Sequence, residues 1–417
     1  TAIDGKIAPR TTNSSEIQMM LADLESTRLN VENKTRSNLF SWRGQFTPQF
    51  VDYLLETYAR PGQVVLDPFC GSGTVLQEAT SRRLMAVGLE INPAAYAMAK
   101  FFSLSALSAG ARKALAEGAA GLLRNSLAHL PQDTPLFTES EDYRQRVSNL
   151  LRLATELLGG TDDKQTKLLL LLSLFRTESS RNGGLASVVS RSFQFVLEQL
   201  VQLPRSERTS VASLSDARNA HLHLEEEAHV IITSPPYINV FNYHQNYRAL
   251  LELIGFDMLK VAHSEMGSNR KHRGNRFLTV IQYSLDIELA IKSFARALVP
   301  NGLLIMVLGR ESKVRGAAFG NSEIVASLIE RSGAFAKPKS HERVFTNRYG
   351  QSIYEDILVA QRIGSPDESE QARSVAKTSL LAALKDQVGD VRTNIEEAIG
   401  LIDSVRPSPL FNKAALV

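Results

Sequence analysis

Two short stretches of this 417-residue chain combine features that could do chemistry. The first is Asp67-Pro68-Phe69-Cys70-Gly71-Ser72-Gly73-Thr74, which follows the apolar run Gln63 to Asp67 and opens a helical pattern from Val75 to Ser81. Glycines between a buried strand and a helix let the backbone approach a ligand closely. On these residues alone a tight strand-to-helix turn with no ligand stays open, and Leu76 stands where the dinucleotide fingerprint has its third glycine. Glu90 shifts the balance. It lies 19 residues after Gly71 at the end of the next apolar run, where a carboxylate can accept hydrogen bonds from ribose hydroxyls. The pair points to a nucleoside ligand. The second stretch is Thr233-Ser234-Pro235-Pro236-Tyr237, at the tip of the apolar run Val230 to Ile232. Successive prolines supply no N–H and fix φ, so the loop is rigid and its carbonyls are free acceptors, which suits an amino group. Ser234 adds a hydroxyl acceptor and Tyr237 an aromatic face on which a base can stack, although a stiff loop with a core tyrosine satisfies the same residues.

The elements that must position these stretches read as an α/β protein. A helix is expected from Pro48 to Tyr58, with Thr47 as its cap and Pro48 in the first turn. The strand Gln63 to Asp67, the helix Val75 to Ser81, the strand Met85 to Glu90 and the helix Pro93 to Phe102 then open a doubly wound, parallel sheet. From about Leu104 to Leu203 the apolar period becomes 3.6, with stripes in Leu122 to Leu130, Val147 to Leu158, Leu168 to Phe175 and Leu185 to Leu203, so a helical insertion is expected there. Strand patterns return at His229 to Thr233, Gly302 to Leu308 and Tyr354 to Ala360. Beyond a linker-like Gly364 to Glu370, the positions Leu381, Leu384, Val388, Val391, Ile395, Ala398 and Ile402 alternate by three and four. That stripe fits a helix packed on its own domain and a homodimer contact equally well.

Bulk properties narrow the class. At 43% hydrophobic residues the chain can bury a real core, as one domain with insertions or as two domains. Its single cysteine, Cys70, rules out an internal disulfide framework or a cysteine-based zinc site, and fits a reducing, cytoplasmic setting. The apolar run from Leu168 to Phe175 is too short to span a bilayer and the N-terminus has no secretory pattern, so no membrane association is expected. A net charge of +3 permits a nucleic-acid partner without demanding one. The polar loop His263 to Arg276, with Arg270, Lys271, Arg273 and Arg276, has the form of a phosphate-contacting segment, and a solvated basic loop is the alternative. Arg176 to Gly184, with Arg181, is a weaker candidate of the same kind.

Together the two stretches resemble the DNA amino-methyltransferases, the S-adenosyl-L-methionine-dependent family that makes N4-methylcytosine and N6-methyladenine. Asp67 to Thr74 looks like that family's cofactor motif and Ser234-Pro235-Pro236-Tyr237 like its catalytic motif. Softer matches are Gly44-Gln-Phe-Thr-Pro48 before the cofactor loop, Glu90 as the ribose acid, Asp216 as the acid beside the cofactor's adenine, the turn Pro300-Asn-Gly302, and Asn347 to Gly350 followed by Glu355 to Leu358 as a closing hairpin. The resemblance implies a Rossmann-like class I methyltransferase sheet over 41–103 and 210–362. It leaves a polar N-terminal segment at 1–40, a helical insertion at 104–209 and a C-terminal helical extension at 365–417. It implies a cofactor site of Phe46, Thr47, Asp67, Pro68, Phe69, Gly71, Gly73, Thr74, Glu90, Ile91, Asp216 and Ala217, and no metal. The insertion stands earlier in the chain than the family's usual target-recognition region, and no large C-terminal recognition domain follows.

The chemistry implied by the resemblance is direct transfer to a base flipped out of duplex DNA. Tyr237 stacks on the base while Ser234 and the Pro235 carbonyl accept from its amino hydrogens, so that the nitrogen lone pair can attack the methyl carbon. No covalent enzyme intermediate is needed, so Cys70 is not expected to be a nucleophile. Ser234 at the head of the catalytic motif points to N4 of cytosine, with N6 of adenine as the alternative. An RNA or protein amino-methyltransferase and a non-catalytic specificity partner with the same fold are the rival readings. Double-stranded DNA is the expected partner, and a cognate restriction endonuclease is a further expected one.

Overall fold

The computed structural model describes residues 23–128, 143–180, 183–239, 242–268, 272–347 and 350–412. Helices α1 (Ser26–Asn30) and α2 (Pro48–Tyr58) precede β1 (Val64–Asp67), α3 (Thr74–Ser81), β2 (Met85–Glu90) and α4 (Pro93–Lys100). Helices α5 (Ala109–Leu127), α6 (Tyr143–Gly159), α7 (Lys164–Ser179) and α8 (Leu185–Gln202) follow, then β3 (Val211–Leu214) and β4 (Ala228–Thr233). The chain continues through α9 (Arg248–Leu253), α10 (Met258–Ser264), α11 (Leu278–Ala297), β5 (Leu298–Gly309), the hairpin β6 (Glu311–Val314) and β7 (Ala317–Gly320), and α12 (Asn321–Arg331). Strands β8 (Lys339–Thr346) and β9 (Ser352–Gln361) and helices α13 (Ala372–Leu384) and α14 (Gly389–Gly400) complete it.

Seven strands form one mixed sheet in the order β3-β2-β1-β4-β5-β9-β8. The first five run parallel, and β9 and β8 are antiparallel additions at one side. Strands covered on both faces read as continuous apolar runs, which is why Val64 to Leu66 and Leu303 to Leu308 stand out in the sequence. Alternate residues feed different cores. Val65, Ile232, Ile305 and Val307 pack with α2 to α8, whereas Leu66, Ile231, Leu304 and Met306 pack with α11 to α14. The strand order reverses between β1 and β4, where a doubly wound sheet opens a crevice at the carboxyl ends of its strands.

Local chemistry sets several element ends. Asn92 caps α4 by accepting from the Ala94 N–H at 3.0 Å, with Pro93 in the first turn. Ser108 and Asp163 cap α5 and α7 in the same way. Thr47 holds the cap position of α2 but its hydroxyl makes no capping bond, contrary to the sequence expectation.

Besides the helices α1, α9, α10 and α12, four strands were not expected from the sequence. β3 is a short edge strand, and β6, β7 and β8 pair as antiparallel additions with mixed exposure. Helix α11 is missed for a different reason. It is buried along almost its whole length, and its polar residues are paired rather than solvated: Asp286 takes Arg218 at 2.9 Å, and Glu288 takes the Gln371 N–H at 2.7 Å. Buried pairs erase the polar face that makes a helix legible.

The C-terminal stripe does not form one helix. It breaks between α13 and α14, leaving Val388 83% exposed, while Ile395, Ala398 and Ile402 bury in the chain's own core. The single seam expected for a homodimer contact is therefore absent from the described residues, and the packed-helix alternative describes these positions. Among the described residues, no helix is long and apolar enough to cross a membrane, and no cluster of three His, Cys, Asp or Glu side chains could hold a metal.

Candidate active-site cleft

A cleft opens at the carboxyl ends of β1, β2 and β4, lined by the Asp67 to Thr74 loop, Leu89 to Asn92, Ser215 to Ala217 and Ser234 to Tyr237. Trp42 to Phe46, Tyr243, Ser264 to Met266 and Glu355 close its sides. The two motifs singled out in the sequence are joined directly, because Thr233 Oγ1 donates to Asp67 Oδ1 at 2.6 Å across 166 residues.

The glycine loop is fixed by backbone contacts. Gly73 adopts φ +88°, and a Cβ there would stand 2.8 Å from Ala99 Cα, so α4 packs against bare backbone. The Gly71 N–H donates to Glu90 Oε2 at 3.0 Å and the Asn92 N–H to Oε1 at 2.8 Å, which orients the carboxylate at the end of β2. The Gly44 to Pro48 segment lies over this loop: Gln45 Oε1 accepts from Ser72 Oγ at 2.9 Å, and Asn38 donates both to the Phe46 carbonyl and to Thr74 Oγ1. Cys70 is buried with its sulfur against Gly88, and burial pushes its thiol well above the ordinary range, so it stays protonated.

The lining is acidic. Burial raises Asp67 to about 7 and Glu90 to about 7, in each case against hydrogen bonds that pull the other way. Glu265 also faces the cleft and is held by buried His244, whose Nδ1 lies 2.7 Å from Oε2 and whose N–H meets Oε1 at 2.7 Å. Exposed Arg43 lies at the rim.

Asp216 lines the cleft, but its carboxylate is committed elsewhere. Oδ1 accepts from the Arg218 N–H and Nε, and Oδ2 from Arg218 Nη2 at 2.6 Å and the Phe411 N–H at 3.0 Å. Through these bonds Asp216 ties the C-terminal tail to the sheet at the edge of the cleft.

On the opposite wall, Ser234 Oγ lies 3.3 Å from Tyr237 Oη, and both residues are half-buried. The Tyr237 ring lies where a side chain on Gly309 would stand, since a Cβ there would come within 2.8 Å of Tyr237 Cε2. Burial, then the charge of Glu355, raises the Tyr237 hydroxyl and keeps it neutral.

Several lining residues carried no sequence signal. Trp42 stacks on Tyr243 with centroids 5.9 Å apart, and on Tyr247 at 6.5 Å; Tyr247 in turn meets Phe175 and shares a 2.9 Å hydroxyl contact with Ser179 of α7. This aromatic stack links the helices of 109–202 to the rim of the cleft. Glu265 and Glu355 fall in segments singled out for other reasons, the basic loop and the closing hairpin, and no spacing rule tied either to the cleft. Of the basic loop, Arg270 and Lys271 lie outside the described residues. Arg273 is exposed, Arg276 is half-buried, and neither lines the cleft; Asn275 beside them donates to the Asn394 carbonyl at 2.7 Å and docks the loop on α14.

The family described as DNA methylase matches residues 8–101. A 73-residue stretch is 32% identical to the Type II methyltransferase M.MjaII of Methanocaldococcus jannaschii, covering 17% of this chain and 14% of that protein. The chain thus matches only about a seventh of that relative's length. Solved structures with a similar outline include a SAM-dependent methyltransferase from Methanosarcina mazei (11% identity, 75% of this chain and 98% of that one, TM-score 0.33). The rRNA methyltransferase aviRa from Streptomyces viridochromogenes is similar to a comparable degree (13% identity, 82% and 94%, TM-score 0.30). Both likenesses are too distant to bear on function. Residues 8–101, which hold the glycine loop and Glu90, carry the sequence of the N6/N4 DNA methylase family, and that family implies S-adenosyl-L-methionine as the cofactor.

Proposed function

We propose that this chain transfers a methyl group from S-adenosyl-L-methionine to N4 of a cytosine flipped out of duplex DNA. The observation that carries the reading is the 2.6 Å bond between Asp67 and Thr233, which joins a nucleoside-type glycine loop to a rigid acceptor loop in one cleft. The cleft's chemistry fits the cofactor. Asp67, Glu90 and Glu265 face a space rimmed by a single arginine among its lining residues, which suits a ligand bearing a sulfonium, an ammonium and vicinal hydroxyls. Phe46, Pro68, Phe69, Gly71, Thr74 and Ile91, which line the cleft, would surround it, with Thr47 adjoining Phe46 in the chain but outside the lining, Glu90 on the ribose and the backbone of Ala217 beside the adenine.

When bound, the cofactor supplies an electrophilic methyl group on a good leaving sulfur. The remaining work falls to the protein. Ser234 Oγ and the Pro235 carbonyl accept from the amino hydrogens, Pro236 keeps the loop rigid, and Tyr237 stacks on the base, all of which position the nitrogen for in-line attack. Arg273 and Arg276, with Arg270 and Lys271, would contact DNA phosphates outside the cleft. Residues 41–103 and 210–362 form the catalytic unit in this reading.

The test is incubation with unmethylated genomic DNA and labelled cofactor, followed by nucleoside mass spectrometry. N4-methyldeoxycytidine is the expected product. N6-methyldeoxyadenosine alone would move the target to adenine, and label in RNA but not in duplex DNA would overturn DNA as the substrate.

A further inference from the structure

The methylated amino nitrogen must lose a proton, and neither Ser234 nor the Pro235 carbonyl is a group that can keep one. We infer that Glu355 is the proton acceptor of the transfer step, standing beside the target base on the wall formed by β5, β9 and β8. This rests on the amino-methyl transfer proposed above.

The placement follows from strand register. Glu355 on β9 lies directly opposite Gly309 on β5 and opposite Arg343 on β8. Residues directly opposite in antiparallel pairs share a sheet face, and neighbouring strands lie about 5 Å apart. The missing side chain of Gly309 is replaced on that face by the Tyr237 ring, so ring, carboxylate and guanidinium form one row. Glu355 lines the same cleft as Ser234 and Tyr237.

The carboxylate is held rigidly. Its Oε2 accepts from Arg343 Nη1 at 2.5 Å. Arg343 is itself buried, lies over the rings of Phe50 (4.2 Å) and Phe345 (4.5 Å), and donates Nε to the Leu29 carbonyl. Among the described residues Oε1 has no hydrogen-bond partner, so one oxygen remains for a substrate. The other lining carboxylates are placed differently: Glu90 and Glu265 spend both oxygens on backbone N–H groups and His244, and Asp67 sits at the root of the glycine loop.

The step balances without further reactants. The amino nitrogen's lone pair forms the new carbon–nitrogen bond, and the carbon–sulfur pair stays on sulfur as a neutral thioether. The nitrogen–hydrogen pair returns to nitrogen as the proton passes to Glu355 Oε1. A positive sulfonium and a negative carboxylate become two neutral groups, and the glutamic acid then releases its proton to solvent. A methylated aromatic amine is so acidic in its cationic form that a carboxylate is a competent base.

The experiment compares the full-length protein with Glu355→Gln, which can still accept from Arg343, and with Glu355→Ala. Cofactor affinity by calorimetry and flipping of a 2-aminopurine target by fluorescence should stay within about twofold, while single-turnover transfer should fall about 100-fold. Sodium formate should restore part of the rate to Glu355→Ala and none to Glu355→Gln, a difference that a purely structural role would not produce. A wild type that methylates DNA with Glu355→Gln within threefold of its rate overturns the proton-acceptor role and leaves amino-methyl transfer standing. A wild type that flips the base but moves no methyl group overturns both.

Discussion

The two walls of the cleft are held in different ways. The wall after β1 and β2 is a matter of backbone: Gly73 packs bare against Ala99, and the Gly71 and Asn92 N–H groups orient Glu90. All of this lies within one β-α-β-α unit. The wall after β4, β5 and β9 is made of side chains drawn from far apart, with Tyr237 laid on Gly309 and flanked by Glu355, which Arg343 holds. The first wall leaves a spacing pattern that can be read; of the second only the Ser234 to Tyr237 loop can be read, and its partners Gly309, Arg343 and Glu355 stand apart from it in the sequence. The first should also fail as a unit when its backbone is disturbed, whereas the second should lose turnover without losing the cofactor.

The largest expected effect is on the backbone-held wall. Gly73→Val places a branched side chain at φ +88° against the Ala99 backbone, which cannot yield as a flexible side chain would. Cofactor affinity should drop at least ~100-fold, close to 3 kcal/mol. The thermal midpoint should fall as well, since the contact is also a packing contact. Unchanged calorimetric affinity would mean that the loop does not hold the cofactor.

Tyr237→Ala breaks the comparison from the other side. Single-turnover transfer should fall by about two orders of magnitude, as expected when a positioning contact is lost, with cofactor affinity nearly unchanged. Gly309→Ala sharpens it, because a Cβ 2.8 Å from Tyr237 Cε2 must displace the ring. A loss of about tenfold in turnover is expected there, read in the same assay. If either variant weakened cofactor binding as much as turnover, the two walls would not be separable.

A smaller effect concerns pH. Asp67 and Glu90 both have folded values of about 7, raised by burial above their ordinary carboxylate values. For stability, the folded state holds these protons more tightly, so their contribution falls as pH rises from the ordinary value towards 7. For a cationic ligand the sign is opposite: binding needs the anions, so affinity is complete above about pH 8 and declines as pH drops through 7. Calorimetry should show affinity about tenfold weaker at pH 6 than at pH 8 for each carboxyl that must ionise. Glu90→Gln should flatten that dependence, and a flat wild-type profile would place the carboxylates away from the ligand's charge.

The smallest effect belongs outside both walls. Arg273 is exposed and does not line the cleft, so Arg273→Ala should leave cofactor affinity and chemistry unchanged. It should lower the slope of DNA affinity against salt by about one unit if the side chain meets a phosphate. An unaltered slope would show that it faces solvent.

What the sequence determined by itself is whatever depends on neighbours along the chain. The helix Pro48–Tyr58 and the strand Met85–Glu90 have the bounds their patterns imply, and the glycine loop and the Ser-Pro-Pro-Tyr loop were legible because turn chemistry and missing N–H groups are local properties. Tertiary structure decided everything that depends on partners. The polar residues of α11 mask its period because Arg218 and Gln371 satisfy them inside the protein, so a buried helix reads as no helix at all. The resemblance marked Asp216 as an acid beside the cofactor, but only the folded chain shows that Arg218 and Phe411 hold its oxygens. The seven-residue C-terminal stripe satisfied a coiled-coil period, but two of its members are solvent-exposed and three lie in the chain's own core. Glu355 was legible only as part of a closing hairpin, with nothing to mark it as a residue of the cleft. Its place beside Tyr237 depends on the pairing of three strands and on an absent side chain at Gly309, which together bring side by side two residues that the sequence keeps more than a hundred positions apart.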